Sequence, residues 1–181
     1  IAIRSANGMN ANKALFYYKP VKPIDTVIAR TIVETGLYAI VFITIILITY
    51  IKNEAWILND FLILMSSYIG LVVYSFGIGL FLLVTADIYP SVLQFIPLAM
   101  RPLWFISGVF VSLSNIPQWI RPYVSWNPIF QAIELARHSF TASYIINSNE
   151  ISMIYLWCCS IISLVFGLLI YSNNERKLLT R

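Results

Sequence analysis

Long apolar runs separated by short polar links are the dominant pattern of this chain. Such runs cover residues 34–51, 61–86, 92–113 and 151–171. An α-helix rises about 1.5 Å per residue, so about 20 apolar residues match a hydrocarbon core of about 30 Å. The pattern therefore predicts an all-α membrane protein with four transmembrane helices.

The composition supports a lipid environment. Of the 181 residues, 59% are hydrophobic and 11% are charged. Soluble domains contain roughly 45–50% apolar and about 25% charged residues. The sequence therefore disfavours a water-soluble core.

The distribution of basic residues predicts the orientation. Five of the 12 Lys and Arg residues precede the first run and three follow the last run, whereas two lie in 114–150. Basic residues are enriched in cytoplasmic segments of membrane proteins. We therefore expect residues 1–33 and 172–181 to be cytoplasmic and residues 114–150 to be external.

A short amphipathic helix is predicted between the last two runs, in the stretch "SWNPIFQAIELARHSF". Asn127 is a favourable N-cap and Pro128 suits the first helical position. The helical spacing places Ile129, Phe130, Ile133, Ala136 and Phe140 on an apolar face and Gln131, Glu134, Arg137, His138 and Thr141 on a polar face. About 14 residues give about 21 Å of helix, which is too short to cross. Two interpretations remain open: a helix lying on the membrane surface, or one that lines a channel mouth.

The apolar runs contain two further features. Arg101 lies inside the third run, where it either snorkels to the surface or lines a path for a polar or anionic substrate. Ser66, Gly70 and Gly77 share one stripe of the second run. Small residues at such positions allow another helix to approach closely, so we interpret this stripe as a packing surface.

Catalytic motifs are missing from the sequence. It contains no GxxxxGK[ST], GxSxG or HExxH pattern, and it has a single His. Cys158 and Cys159 are adjacent and match no metal-ligand spacing. We therefore expect no metal, no nucleic-acid partner and no enzymatic activity. A transporter subunit, a channel and a non-transporting membrane scaffold remain as classes.

Two stretches, "ALFYYKPVKPIDTVIARTIVET" and "FISGVFVSLSNIPQWIRPYVSWNPIFQAIELAR", resemble the permease subunit of capsular polysaccharide exporters, which are ABC-2 type transporters. The resemblance implies six transmembrane helices, of which this chain would be the C-terminal part. It also implies a permease homodimer in the bacterial inner membrane. A separate ATPase subunit would bind and hydrolyse ATP, and the cargo would be a lipid-linked polysaccharide passed to periplasmic export proteins. Related permeases for O-antigen or teichoic acid are the alternative.

The resemblance also suggests site residues. The segment that would contact the ATPase maps to residues 10–26, with an anionic lipid surface as the alternative partner. Its candidates are Phe16, Tyr17, Tyr18, Lys19, Lys22 and Asp25. An outer gate of two re-entrant helices maps to residues 116–123 and 128–143. The candidates for the substrate path and gate are Arg101, Trp104, Trp119, Tyr123, Trp126, Asn127, Glu134 and Arg137. The aromatic residues would either stack on sugar rings or form an interfacial belt.

Overall fold

The computed structural model describes residues 1–7, 21–53, 58–140 and 150–179, and the regular structure in these ranges is entirely helical. The α-helices are α1 (Ala2–Ala6), α2 (Pro23–Asn53), α3 (Phe61–Ile88), α4 (Val92–Ile106), α5 (Arg121–Ser125), α6 (Pro128–Phe140) and α7 (Met153–Leu179). Within α2, α3 and α7, the stretches Pro23–Lys52, Phe61–Ile88 and Met153–Glu175 are long and apolar enough to cross a membrane. The predicted all-α membrane class is confirmed.

Helix α2 begins well before the predicted span. The Asp25 carboxylate accepts a hydrogen bond from the Lys22 backbone N–H (2.9 Å), and the Asp25 N–H donates to the Lys22 carbonyl (3.0 Å). Pro23 then occupies the first helical position, which suits its fixed φ. Asp25 and Thr26 lie inside the first turn of the helix. Part of the predicted cytoplasmic segment is therefore the first turns of α2.

Helix α4 is shorter than the predicted third span and ends at Ile106 rather than residue 113. Its 15 residues give about 22 Å of helix, less than the bilayer core. Gly108 has φ +80°, the left-handed conformation that commonly follows a helix C-terminus. The Ser107 hydroxyl donates to the Trp104 carbonyl (2.6 Å), which occupies one acceptor at the helix end.

The region between α4 and α7 is built from short elements. A 3₁₀ turn covers Leu113–Asn115, and α5 covers Arg121–Ser125, a shorter and later helix than the one predicted at 116–123. Helix α6 coincides with the second predicted gate helix as far as Phe140. Residues 141–143 of that prediction lie outside the described ranges. Helix α7 continues beyond residue 171 into the predicted tail.

The chain divides into two compact units. The first contains Ile1–Gly36, Val72–Met100 and Ser160–Arg181; the second contains Leu37–Leu71 and Arg101–Cys159. One buried apolar cluster of the first unit comprises Val27, Leu80, Leu83, Val84, Tyr171 and Leu178. The cluster of the second unit comprises Leu113, Phe130, Ala132, Leu135, Ile151 and Leu156. In the second unit, α6 therefore packs in the core rather than on a surface.

The small-residue stripe of α3 is confirmed as a packing surface. In the first unit, a Cβ at Gly77 would collide with the backbone of Ser163 and Leu164 in α7, and a Cβ at Gly167 would collide with Gly77. In the second unit, the Ser66 hydroxyl accepts a hydrogen bond from the Trp157 indole N–H (2.9 Å). Backbones that approach this closely leave no room for a methyl group.

We predict that Gly77→Ala destabilises the protein, because the new methyl group meets backbone atoms that cannot move aside independently. Overpacking of this kind costs about 1–3 kcal/mol. The measurement is the thermal unfolding midpoint of the purified protein in detergent.

Gly36→Ala is the matched control, because a Cβ at Gly36 has nothing within 4 Å. Alanine is favoured over glycine inside a helix by about 0.5–1 kcal/mol, so this variant should be as stable as the original protein or slightly more so. Equal midpoints for the two variants would contradict the close helix crossing.

Candidate functional site

Helix α6 starts as its sequence predicts. The Asn127 side-chain oxygen accepts a hydrogen bond from the Ile129 N–H (3.0 Å), and Pro128 is the first helical residue. The Gln131 N–H donates to the Asn127 carbonyl (3.1 Å) and closes the first turn. The predicted N-cap is therefore confirmed, and it fixes where the helix begins.

The centre of the polar face of α6 is buried within the protein. Glu134 is 0% exposed and Gln131 is 3% exposed, so the centre of this face points into the second unit. Spacing along a helix indicates which residues share a face, but it does not indicate what covers that face. Because burying a charge without partners is costly, these side chains need partners inside the protein.

The Glu134 carboxylate joins α6 to the segment that follows α4. It accepts a hydrogen bond from the Leu113 backbone N–H (3.2 Å) and forms an ion pair with Arg137, one turn further along the helix. The Arg137 guanidinium in turn donates to the Gly108 carbonyl (2.9 Å). The pair therefore binds two backbone groups of the segment between α4 and α5.

Gly108 is also packed closely against α6. A Cβ at this position would collide with the ring of Phe130, which is fully buried. Both the left-handed φ and this contact favour glycine. Apolar packing and the Glu134–Arg137 pair thus hold the same turn against the same helix.

Gln131 fixes the segments on either side of α6. Its amide NH₂ donates to the carbonyls of Ser125 (2.7 Å) and Glu150 (2.9 Å), and its amide oxygen accepts from the Ser152 N–H (2.9 Å). One buried side chain therefore satisfies three backbone groups. The sequence places Gln131 on the polar face of α6, but its spacing gives no signal for this role.

The remaining candidates for the substrate path are exposed. Arg101 lies on the surface of α4, and the exposed fraction is 55% for Trp104, 75% for Trp119, 80% for Tyr123 and 78% for Trp126. Trp104 packs edge-on against Phe105 and Phe110, with ring centroids 5.5 and 5.0 Å away. Whether the aromatic candidates stack on sugar rings or form an interfacial belt stays a prediction.

A cavity of about 350 Å³ lies beside α6 in the second unit. Its lining residues are Pro122, Ser125, Trp126, Gln131, Glu150, Ser152 and Tyr155. The Tyr155 hydroxyl donates to the Trp126 carbonyl (2.8 Å) and closes one wall. Sequence spacing gave no signal for this group, because Ser125 and Glu150 come together only through Gln131.

Among the candidates for ATPase coupling, Phe16, Tyr17, Tyr18 and Lys19 lie outside the described residues. Lys22 and Asp25 are at the start of α2, where Asp25 caps the helix. The Lys22 ammonium pairs with Glu175 of α7 (3.0 Å), and this hydrogen bond and charge raise the pKa of Lys22. In this structure both residues have stabilising contacts within the first unit.

No metal-binding cluster of His, Cys, Asp or Glu occurs in the part of the chain that the structure describes. Cys158 and Cys159 are both free thiols, and Cys158 is exposed.

The three long apolar helices are typical of a multi-pass membrane protein, and polar side chains of the short helix α6 are buried inside it. Residues 13–141 match the family model described as ABC-2 type transporter, and the chain belongs to this family. The resemblance drawn from the sequence is thereby confirmed.

The chain is 37% identical over 180 residues to the polysialic acid transport protein KpsM of Escherichia coli, covering 99% of this chain and 69% of that relative. It is 22% identical to the capsule polysaccharide export inner-membrane protein BexB of Haemophilus influenzae, covering 96% of this chain and 64% of that relative. It is 24% identical to the capsule polysaccharide export inner-membrane protein CtrC of Neisseria meningitidis serogroup B, with the same coverage. The chain thus spans about two thirds of the length of each relative.

We predict that Arg137→Gln destabilises the protein by about 3–5 kcal/mol, because it leaves the buried Glu134 carboxylate without its charged partner. Glu134→Gln should cost less, because the Arg137 side chain is 27% exposed and keeps its hydrogen bond to the Gly108 carbonyl. The double variant should lose clearly less than the sum of the two, since neither charge is then left alone. The measurement is a double-mutant cycle on the free energy of unfolding in detergent.

Lys52→Gln is the control for that cycle, because Lys52 is exposed at the end of α2. We expect Lys52→Gln to change the free energy of unfolding by no more than about 0.5 kcal/mol. Additive losses for Glu134→Gln and Arg137→Gln would show that the two side chains act independently, contrary to this description.

Proposed function

We propose that this chain is part of the permease subunit of an ABC transporter that exports capsular polysaccharide across the bacterial inner membrane. The observation that carries the proposal is the 37% identity to the polysialic acid transport protein KpsM along 99% of the chain. BexB and CtrC are capsule polysaccharide export proteins of the inner membrane. The apolar helices of this chain fit such a location.

Membership of the family implies an ABC ATPase as partner. In the proposal, that separate subunit binds and hydrolyses ATP, and this chain contributes no cofactor site. Two copies of the permease form the path for a lipid-linked polysaccharide, and periplasmic proteins receive it. The absence of a P-loop sequence supports this division of labour.

The gate in this proposal is formed by the two predicted re-entrant segments, residues 116–123 and 128–143, on the outer side of the membrane. Support comes from its construction, in which a turn and a short helix are tied together by Glu134 and Arg137. Irregular backbone at membrane depth is tolerated where protein satisfies its polar groups. In this proposal, the turn and the helix move together as a rigid body when the gate opens, without local unfolding.

The coupling surface in this proposal is the segment 10–26, on the cytoplasmic side. Its basic residues and three consecutive aromatic residues are suitable anchors for a protein groove. The Lys22–Glu175 ion pair ties the end of this segment to α7. Movement of this segment would therefore be transmitted to both α2 and α7.

The test is complementation of a capsule-negative strain that lacks its permease. The complete permease that contains this chain should restore surface capsule when its ATPase is intact, and should fail when the ATPase P-loop lysine is replaced. Glycan analysis of the exported material distinguishes capsule from O-antigen or teichoic acid. A membrane-inserted permease that leaves the strain without capsule would overturn the proposal.

For the coupling surface, we predict that the double substitution Phe16→Ala, Tyr17→Ala lowers the amount of ATPase that co-purifies with the permease in detergent. The physical reason is the loss of two large apolar anchors from the interface. Tyr123→Ala is the control, because Tyr123 is 80% exposed and lies in the predicted external segment. If the unmodified permease, the double variant and Tyr123→Ala co-purify equal amounts of ATPase, the ATPase contact lies elsewhere.

A further inference from the structure

The start of α7 is joined to α6 by one buried side chain. The Gln131 amide NH₂ donates to the Glu150 carbonyl (2.9 Å), and its oxygen accepts from the Ser152 N–H (2.9 Å). Both backbone groups lie immediately before α7. The same NH₂ donates to the Ser125 carbonyl at the end of α5 (2.7 Å). Because Gln131 is 3% exposed, its hydrogen bonds are shielded from competition with water.

Two further polar contacts join α5 to the start of α7. The Tyr155 hydroxyl, in the first turn of α7, donates to the Trp126 carbonyl directly after α5 (2.8 Å). The Arg121 guanidinium of α5 forms an ion pair with the Glu150 carboxylate (3.9 Å), and both side chains are largely buried. The start of α7 is therefore attached to both short helices of the predicted gate region.

Apolar packing supports the same junction. Ile151 and Leu156, on either side of the start of α7, share a buried cluster with Phe130 and Leu135 of α6. Apolar burial is not directional, whereas hydrogen bonds require a defined geometry. The cluster therefore holds α6 and α7 together, and the polar contacts fix how they are oriented.

The other end of α7 contacts the predicted coupling segment. Helix α7 is continuous over 27 residues, or about 40 Å. Near its C-terminus, Glu175 pairs with Lys22 (3.0 Å). Rigid secondary elements carry displacement from one end to the other. A displacement of α7 would therefore move the residues that hold α5 and α6.

Helix α6 also has attachments that are independent of α7. The Ser139 carbonyl at its C-terminal end accepts a hydrogen bond from the Asn59 N–H (2.8 Å). The Glu134–Arg137 pair binds the segment after α4. These contacts remain when the contacts to α7 are removed. The attachment to α7 can therefore be weakened while α6 keeps its place.

We propose that Gln131 and Tyr155 are positioning residues that make the gate helices α5 and α6 follow the external end of α7. This inference rests on the proposed function, in which a separate ATPase drives a gate in this region. The two side chains act through α7 and its neighbours, and no contact with cargo is assigned to them.

The test compares substitutions in the complete permease, assembled with its ATPase in lipid nanodiscs. Gln131→Met keeps the length of the side chain and removes its three hydrogen bonds. Tyr155→Phe removes the hydroxyl alone. The matched controls are Gln94→Met and Tyr89→Phe, because both residues are exposed and lie outside the predicted gate segments.

Three quantities are measured for each protein. The first is the rate of ATP hydrolysis. The second is the emission of a fluorescent probe on Tyr123→Cys, with Cys158, Cys159 and any other cysteine replaced by alanine. Emission is compared between the nucleotide-free complex and the complex trapped with ATP and vanadate. The third is surface capsule in the complemented strain.

The two variants should separate hydrolysis from gate movement. Loss of one hydrogen bond changes an equilibrium about fivefold. Gln131→Met should remove most of the nucleotide-driven emission change and lower surface capsule by about fivefold or more, and Tyr155→Phe should have a smaller effect. ATP hydrolysis should continue in both, because the ATP site belongs to the partner subunit. The controls should match the unmodified complex.

Three results would overturn the positioning role: a normal emission change and normal capsule in both variants, loss of ATP hydrolysis in parallel with the emission change, or no nucleotide-driven change in the unmodified complex. If Gln131→Met does not insert into the membrane, Tyr155→Phe decides by the same criteria.

The outcomes also distinguish this inference from the proposed function. Capsule restored equally by the unmodified permease and by both variants would reject the positioning role and keep the function. An emission change that the variants lose, in a permease that restores no capsule, would keep the positioning role and reject the function.

Discussion

Buried backbone polar groups outside a regular helix must find partners inside the protein, and this constraint governs the region between α4 and α7. The partners are side chains of α6. Glu134 and Arg137 bind backbone groups of Leu113 and Gly108 on the preceding segment, and Gln131 binds the segments on both sides of the helix. A helix that is too short to cross a membrane thereby organises the second unit.

The same constraint connects structure to the proposed transport role. Export of a polar chain needs a path that closes, and a closing element has to keep its shape while it moves. Buried ion pairs are specific in geometry even where their net stabilisation is small. The Glu134–Arg137 pair therefore suits a gate that moves as one body.

Sequence reasoning predicted the helices well and their surroundings less well. Asn127 and Pro128 revealed the start of α6, and Gly77 revealed a close helix crossing, because both signals are local. The burial of Glu134 could not be predicted, because spacing along a helix shows which residues share a face but not what covers that face. The end of α4 was missed although Gly108 offered a signal. The cavity could not be predicted, because its residues meet only through tertiary contacts.

The central claim is that α6 holds the preceding segment through the buried Glu134 carboxylate. Hydrogen–deuterium exchange of the complete permease in nanodiscs tests it most directly, through the peptide that contains Leu113. That peptide should be protected in the unmodified protein and should exchange faster in Glu134→Gln, while the peptide around Gly77 stays unchanged. Equal exchange of the Leu113 peptide in both proteins would contradict the account.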